Sequence, residues 1–356
     1  MEKITKALVI GGAGNLGKSI VELLLQRGVP VVCSFDLVPY EGDGDVRSFV
    51  GDITDLKSVE RAMDGMSTVF HTASIIDIRP NPPVLMQRVN VDGTFNVIQA
   101  CKKAGVSTLI YTSSLEVVSG FDENGLLLQV QNADESAPIA AVHHLPYATT
   151  KAAAERLVLA AHSPAPGGLK TVSIRPGYIM GAGCIGTALE MARARKRNDY
   201  YVTARVPSSI STVHPKNCAL AQVAAAERAG IEGVGGESFF CRDFEANVID
   251  MALEVFKDTP VKSVLLPLKL AYAMALIMTI ADNIIHYIWK TFFGKLWKTS
   301  TDVVDVKALN MAWIDIVVSD EKAKKLLGYK SVVSKAECMA EAKTWASEYY
   351  LELGPH

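Results

Sequence analysis

A doubly wound α/β fold with a parallel sheet is predicted by three features of the sequence. Short aliphatic or β-branched runs at Lys6–Ile10, Val31–Phe35, Thr68–His71, Thr108–Thr112 and Thr171–Arg175 alternate with amphipathic stretches. A glycine-rich turn follows the first run, and an acidic residue closes the second. Strands that alternate with helices imply crossover connections covering both faces of one sheet. Composition agrees: 356 residues, 49% hydrophobic and 21% charged, at a formal net charge of −2, exclude disorder and lack the basic footprint of a nucleic-acid binder. Six scattered cysteines show no CxxC or zinc-type spacing, so no metal is expected, and they read as reduced, buried thiols of an intracellular protein.

The elements follow in order. Lys6–Ile10 is the first strand, and no signal or transit sequence precedes it. Gly11, Gly14 and Gly17 then open a helix in which Leu16, Ile20, Leu23 and Leu24 recur at helical spacing. Gly11 permits the tight turn, Gly14 admits a pyrophosphate to the backbone, and Gly17 allows close helix–strand packing. With Asn15 and Leu16, these residues place an anion on the helix N-terminus, as in Rossmann-type domains. The second strand ends in Asp36, where a carboxylate binds ribose hydroxyls and repels a 2′-phosphate. No arginine or lysine stands beside Asp36, so NAD is expected over NADP. Asp52 and Ile53 follow the third strand region. Asp52 reads either as a contact to an adenine amino group or as part of a simple helix cap, since Thr54 and Asp55 begin a helix.

Val91, Phe95, Ile98 and Cys101 mark the next clear helix, and Tyr111-Thr112-Ser113-Ser114 ends the fifth strand at the sheet's carboxyl edge. Tyr147 and Lys151 lie one turn apart on a helix face. A tyrosine with an ordinary pKa of about 10 needs positive charge nearby to act as a base near neutrality, and a lowering of roughly three units corresponds to about 4 kcal/mol. Lys151, with an oxidised nicotinamide, is expected to supply much of it. Ser114 would then hold a substrate oxygen while Tyr147 removes its proton.

These residues carry a resemblance. Gly11–Gly17, Val69–Asp77, Val89–Thr94, Tyr111–Val117, Tyr147–Lys151 and Ile174–Gly181 resemble the extended short-chain dehydrogenase/reductases. More closely, they resemble the 3β-hydroxysteroid dehydrogenase/Δ5–Δ4 isomerase family. Ser211–Asn217 and Lys322–Tyr329 look like later segments of it. The resemblance implies a catalytic Tyr147, Lys151 and Ser114, with Asn90 supporting the active-site helix or a water-linked proton path. It also implies that Asp52 and Ile53 flank the adenine and that the backbone after Pro176 faces the nicotinamide. Two departures stand out. Ile10 replaces the family's threonine before the first glycine, and the connection from Ser114 to Tyr147 is long and carries His143 and His144. Those histidines read as loop residues near the substrate pocket or as part of its lining.

Residues 1–181 are expected to form the NAD-binding domain, with returns around 211–245, and 182–356 mainly a smaller substrate-binding lid. Arg193, Arg195, Lys196 and Arg197 read as a solvated helix face. The mean hydropathy of +0.20 is high for a soluble enzyme, and most of the surplus sits in residues 264–297. Its apolar run from Leu270 to Ala281 is shorter than the roughly 20 residues of a span, and aromatics mixed with lysines follow. It reads as an interfacial membrane anchor; a buried helix pair of the lid and a single transmembrane helix are the alternatives.

The expected activity is NAD-dependent oxidation of the 3β-hydroxyl of a steroid or sterol, with Δ5–Δ4 isomerisation implied by the family alone. A decarboxylating 4α-carboxysterol 3-dehydrogenase shares every motif, and an NAD-binding scaffold without turnover is the alternative of another class. The expected setting is an intracellular membrane surface, the endoplasmic reticulum in a eukaryote, with a homodimer allowed.

Overall fold

A computed structural model of the chain describes residues 2–76, 84–126, 128, 130–143, 145–293 and 314–354. Asp77, His144 and residues 294–297 of the hydrophobic segment lie outside them. Strand β1 (Lys6–Ile10) runs through the centre, with Ala7, Leu8, Val9 and Ile10 wholly buried, as a parallel strand covered on both faces requires. Helix α1 (Asn15–Gln26) returns the chain to β2 (Val31–Asp36) and β3 (Val46–Val50), and α2 (Leu56–Met63) leads to β4 (Thr68–His71). Helix α3 (Val84–Gln87) widens into a π-helical stretch over Arg88–Gly93 before α4 (Thr94–Ala104) and β5 (Thr108–Thr112). After a 3₁₀ turn at Leu115–Val118, the long connection holds β6 (Gly120–Phe121), β7 (Val130–Ala133) and β8 (Val142–His143), with β6 and β8 antiparallel. Then come α5 (Pro146–Ala160), β9 (Lys170–Pro176) and β10 (Tyr178–Ile179).

The remaining elements are α6 (Ile185–Lys196), β11 (Tyr200–Thr203), β12 (Ile210–Val213), α7 (Pro215–Arg228), β13 (Ser238–Cys241) and β14 (Phe244–Ala246). They end with α8 (Val248–Phe256), β15 (Lys262–Leu265), α9 (Leu268–Phe293), β16 (Ile316–Val318) and α10 (Lys335–Glu352).

The seven-stranded sheet has the order β13-β9-β5-β4-β1-β2-β3, and every neighbouring pair is parallel. The order reverses between β1 and β4, which opens a crevice at their carboxyl ends where α/β proteins bind ligands. One apolar layer joins Ile20 and Leu24 of α1 to Ala221 and Ala225 of α7. The opposite layer joins Val59, Met63, Val97, Cys101 and Val158. All six cysteines are free and buried.

The chain divides into two units. The first comprises 1–180, 211–244 and 316–338, and the second 181–210, 245–315 and 339–356. Residues 316–338, placed by sequence in the second part, thus return to the first: β16 pairs with β7, and Ala323, Leu327 and Tyr329 join the first apolar layer. In the second unit β11 pairs with β15, and Asn247 caps α8 by accepting from Ile249 and Asp250 N–H at 3.0 and 3.1 Å. The basic run on α6 is not simply solvated. Arg195 donates to the Gly354 carbonyl at 2.8 Å and to Asp199 at 3.0 Å, and it lies 4.7 Å from the Tyr350 ring centroid. Helix α9 is one continuous helix, not a helix pair. It buries Ala271 and Ala275 beside Ala204 but leaves Ile277 67% and Tyr287 69% exposed.

Within the first unit, α5 is bolted to β9 by a buried ion pair. Glu155 accepts from Arg175 Nη2 at 2.6 Å, from its Nε at 3.0 and 3.1 Å, and from Ser173 Oγ at 2.8 Å. Arg175→Met strands the carboxylate in the interior and should cost about 3–5 kcal/mol by urea unfolding, whereas Glu155→Met/Arg175→Met should recover most of that. Equal losses in both variants would contradict the pairing.

Candidate active site

The dinucleotide cradle is built by backbone geometry. Gly11 has φ +83°, and a Cβ there would sit 2.6 Å from Thr72 Oγ1. Gly17 packs so closely that a Cβ would collide with the Gly11 carbonyl oxygen. Gly14 stands at the N-cap of α1 with no side-chain cap bond, leaving the helix end approachable by an anion. Thr72 answers the departure at Ile10: its hydroxyl donates to the carbonyls of Ile10 at 2.9 Å and Gly11 at 3.3 Å. A hydroxyl from the neighbouring strand thereby pins the turn. Asp36 ends β2 with Oδ2 accepting from Ala13 N–H at 3.0 Å and Oδ1 from Leu37 N–H at 2.7 Å. A helix N-terminus for a pyrophosphate and a fixed carboxylate for ribose hydroxyls thus share one loop, which fits a dinucleotide. Leu16 is buried beneath that loop, and the Asn15 carbonyl accepts from Ser19 Oγ at 3.3 Å, so both support it from within α1.

Asp52 is not the cap of α2. Its Oδ1 accepts from Thr54 N–H at 2.8 Å, while Asp55 caps the helix through Lys57 N–H at 3.1 Å. Ile53 is buried against Gly93, and its carbonyl accepts from Asn96 Nδ2 at 3.0 Å. Pro176 closes β9, and the Gly177 N–H that follows donates to the Cys241 carbonyl at 2.9 Å.

The reacting end lies where β4 and β5 finish. Pro146 opens α5 and sets Tyr147 in its first turn, half-buried. The phenol hydrogen-bonds Ser114, beyond β5, and Ser74, beyond β4. Burial and the neighbouring Glu116 push the phenol well above its ordinary value, and the two serines pull against them. The lowering expected of Lys151 together with an oxidised nicotinamide concerns the site with that ring bound; in the protein alone the phenol is raised. Lys151 is itself 2% exposed, its Nζ donating to the Thr112 carbonyl and lying 4.4 Å from the Tyr111 ring centroid. Burial pushes its ammonium down to about 7, and Glu155 one turn further along pulls it up. Gln222 Nε2 donates to Thr112 Oγ1 at 2.9 Å, steadying the residue that holds Lys151.

Asn90 lies in the π-helical stretch and is buried. Its Nδ2 donates to the Ile75 carbonyl at 2.9 Å and Thr150 Oγ1 at 3.0 Å, and its Oδ1 accepts from Ile75 N–H at 2.8 Å. Both amide donors are committed, so Asn90 positions α5 and the segment bearing Ser74. Its carbonyl accepts from Thr94 Oγ1 at 2.7 Å, and Thr94 in turn meets His71 Nε2 at 3.0 Å. The Thr94 proton being spent, His71 must donate from Nε2. His143 pins the long connection, its Nε2 meeting the Val117 carbonyl at 3.1 Å.

Ser74, Glu116 and the Glu155–Arg175 pair were not singled out by sequence. The signal for Glu155 was its place four residues after Lys151 on the same helix face. Ser74 and Glu116 carry no spacing rule, since they reach Tyr147 from other strand ends.

The chain matches the model of the 3-beta hydroxysteroid dehydrogenase/isomerase family over residues 8–266. It is 30% identical to Mus musculus 3 beta-hydroxysteroid dehydrogenase type 7, over 95% of this chain and 94% of that protein. It is 41% identical to the Bos taurus decarboxylating sterol-4-alpha-carboxylate 3-dehydrogenase, over 50% of this chain and 48% of that protein. The solved structure of Thermus thermophilus UDP-glucose 4-epimerase, a complex with NAD, shares the fold at 21% identity. Its TM-score is 0.67, with 96% of this chain and 98% of that one covered.

His71 supplies a pH test. Burial and the nearby Lys151 lower it from 6.5 to about 3. Unfolded chains therefore bind a proton that the folded protein refuses, and this residue makes stability fall as pH drops from 6.5 toward 3. Urea unfolding across that window should show a shallower acid-side loss for His71→Gln than for wild type, and identical slopes would contradict a buried neutral ring.

Proposed function

The chain belongs to the 3-beta hydroxysteroid dehydrogenase/isomerase family, and we propose that it oxidises the 3β-hydroxyl of a steroid or sterol to the ketone. The observation that carries this reading is the phenol of Tyr147 hydrogen-bonded to Ser114 at the carboxyl edge of the sheet, beside the dinucleotide cradle. NAD, when bound, supplies the hydride acceptor. Gly11, Gly14, Asn15, Leu16 and Gly17 would hold its pyrophosphate, Asp36 its ribose hydroxyls, and Asp52 with Ile53 its adenine, while the turn after Pro176 would border the nicotinamide.

Tyr147 takes the substrate hydroxyl proton, and Ser114 donates to the same oxygen. Ser74 holds the phenol from the opposite strand end. Lys151 contributes positive charge one turn along α5, and Asn90 fixes that turn through Thr150, whose hydroxyl donates to the Tyr147 carbonyl at 2.8 Å. Isomerisation of a Δ5 double bond to Δ4 would follow where the substrate carries one.

The bovine relative favours a second reading, oxidation of a 4α-carboxysterol with loss of carbon dioxide.

We also infer that α9 rests on a lipid surface. Leu276, Ile277, Ile280, Ile284 and Tyr287 are all exposed, more apolar surface than a helix in water ordinarily shows. Among the described residues no helix is long and apolar enough to cross a membrane, which favours lying on the surface over spanning. Six free, buried cysteines favour an intracellular membrane as that surface.

NADH formation from the purified full chain with a panel of 3β-hydroxysteroids tests the activity, and Tyr147→Phe should lower kcat/KM by about 10²–10⁴-fold. Full activity in that variant would remove the mechanism, and release of a decarboxylated ketone from a 4α-carboxysterol would favour the second reading. Flotation with phospholipid vesicles tests the surface: Ile277→Lys/Ile280→Lys should weaken partitioning by about tenfold or more. A wild-type chain that stays with the unbound fraction would end the membrane reading.

A further inference from the structure

Helix α7 packs on the sheet through a surface of small side chains, with Ala219, Ala221 and Ala225 wholly buried. Gln222 interrupts that surface and is itself wholly buried. Its Nε2 donates to Thr112 Oγ1 at 2.9 Å and lies 3.8 Å from Cys218 Sγ, while its Oε1 meets no partner among the described residues. An amide oxygen buried unpaired costs stability, and an apolar side chain would pack here without that cost. What the amide adds is the bond to Thr112. That residue closes β5, where successive side chains alternate between the two faces of the sheet. Ile110 packs in the layer of α7, whereas Leu109 and Tyr111 pack in the opposite layer with Ala154 and Val158 of α5. The Thr112 hydroxyl accordingly meets α7, and its carbonyl accepts from Lys151 Nζ on α5. One strand-end residue thus joins a helix on one face of the sheet to the lysine on the other.

We propose that Gln222 is a positioning residue for proton transfer at Tyr147, acting across the sheet through Thr112 on Lys151. The proposal rests on reading the site as a steroid 3-dehydrogenase. Thr112 is held on both sides, its hydroxyl by Gln222 and its carbonyl by Lys151. Directly beyond it the Ser113 N–H donates to the Ile174 carbonyl at 2.7 Å, and Ser114 follows. Without the amide, the last residue of β5 is free to turn, its carbonyl leaves the ammonium, and the charge one turn from Tyr147 loses its fixed place. A displacement of about 1 Å in a group that acts on the reacting atoms can cost about a hundredfold in rate, even when its cause is remote. Gln222 bonds the strand end and not the glycine turn or Ser114, so it acts on turnover rather than on substrate affinity.

The test measures kcat and KM for a 3β-hydroxysteroid with the full chain and saturating NAD. Gln222→Leu should lower kcat by about tenfold to a hundredfold and leave the steroid KM within about threefold. Thr112→Val, which removes the hydroxyl, should reproduce that loss, and Thr112→Ser, which keeps it, should recover most of the rate. Gln222→Leu/Thr112→Val should be no slower than the worse single variant, because both act through one bond. A double loss equal to the product of the single losses overturns the proposal, and so does a wild-type kcat in Gln222→Leu. Urea unfolding shows that each variant is folded. Should Gln222→Leu fail to fold, equal rates in Thr112→Val and Thr112→Ser overturn the proposal. A second readout needs no turnover, which separates failure here from failure of the dehydrogenase reading. Lysine labelled with carbon-13 at Cε reports Lys151 by NMR, its signal identified by its loss in Lys151→Met. Glu155 and Tyr147 share the helix of Lys151, His71 and Tyr111 lie by it at the ends of β4 and β5, and Arg175 of β9 holds Glu155. All of these stay in place in Gln222→Leu, and only the carbonyl that favours the ammonium is loosened. The Lys151 titration should therefore move to lower pH in Gln222→Leu or Thr112→Val, and an unmoved titration overturns the proposal.

Discussion

A cation buried in a protein interior constrains everything around it, and Lys151 is that cation here. Removing an ammonium from water costs several kcal/mol unless the surroundings replace its hydration. The Thr112 carbonyl, the face of Tyr111 and the pull of Glu155 do so together. Each partner is held in turn: Thr112 by Gln222, and Glu155 by Arg175 and Ser173. The network joins α5, α7, β5 and β9, so the register of α5 against the sheet follows from housing one charge. Tyr147 inherits its position from that register, a turn earlier on the same helix.

The cradle and the reacting end are coupled through the same strands. Thr72 pins the glycine turn from the end of β4, and two residues later Ser74 meets the phenol. Asn90 clasps the backbone of Ile75 between two hydrogen bonds and reaches Thr150 with a third. Small displacements of the segment 72–75 would therefore move the dinucleotide turn and Tyr147 together. This is a physical reason for a π-helical widening at Arg88–Gly93, which brings an interior amide within reach of both.

Local rules made the nearby features legible in the sequence. Gly11 and Gly17 were readable because a turn and a close approach exclude side chains, and Asp36 because a strand end fixes its distance from the loop. Tyr147 and Lys151 were readable from helical spacing. Ser74, Glu116 and Arg175 were not, because they converge from separate strands and no interval along the chain encodes that meeting. Burial and Glu116, which raise the Tyr147 phenol in the protein alone, were hidden for the same reason. The return of residues 316–338 was hidden likewise, since β16 is only three residues long and finds its partner β7 far away in sequence.

Glu116 and Lys151, the ionisable groups either side of Tyr147 in the chain, show what burial does to charge at this site. Burial raises the Glu116 carboxyl and lowers the Lys151 ammonium, so each charge is costlier to hold than in water, while the phenol stays protonated. A pocket with three firmly fixed charges would pay heavily in desolvation before any ligand arrived. Burial that favours the neutral forms lessens that cost, and a bound ligand's own charge shifts the balance. A cationic ring bound beside Tyr147 would favour the phenolate, and an uncharged one the neutral phenol. The charge state of the phenol would thus follow the chemistry of what is bound.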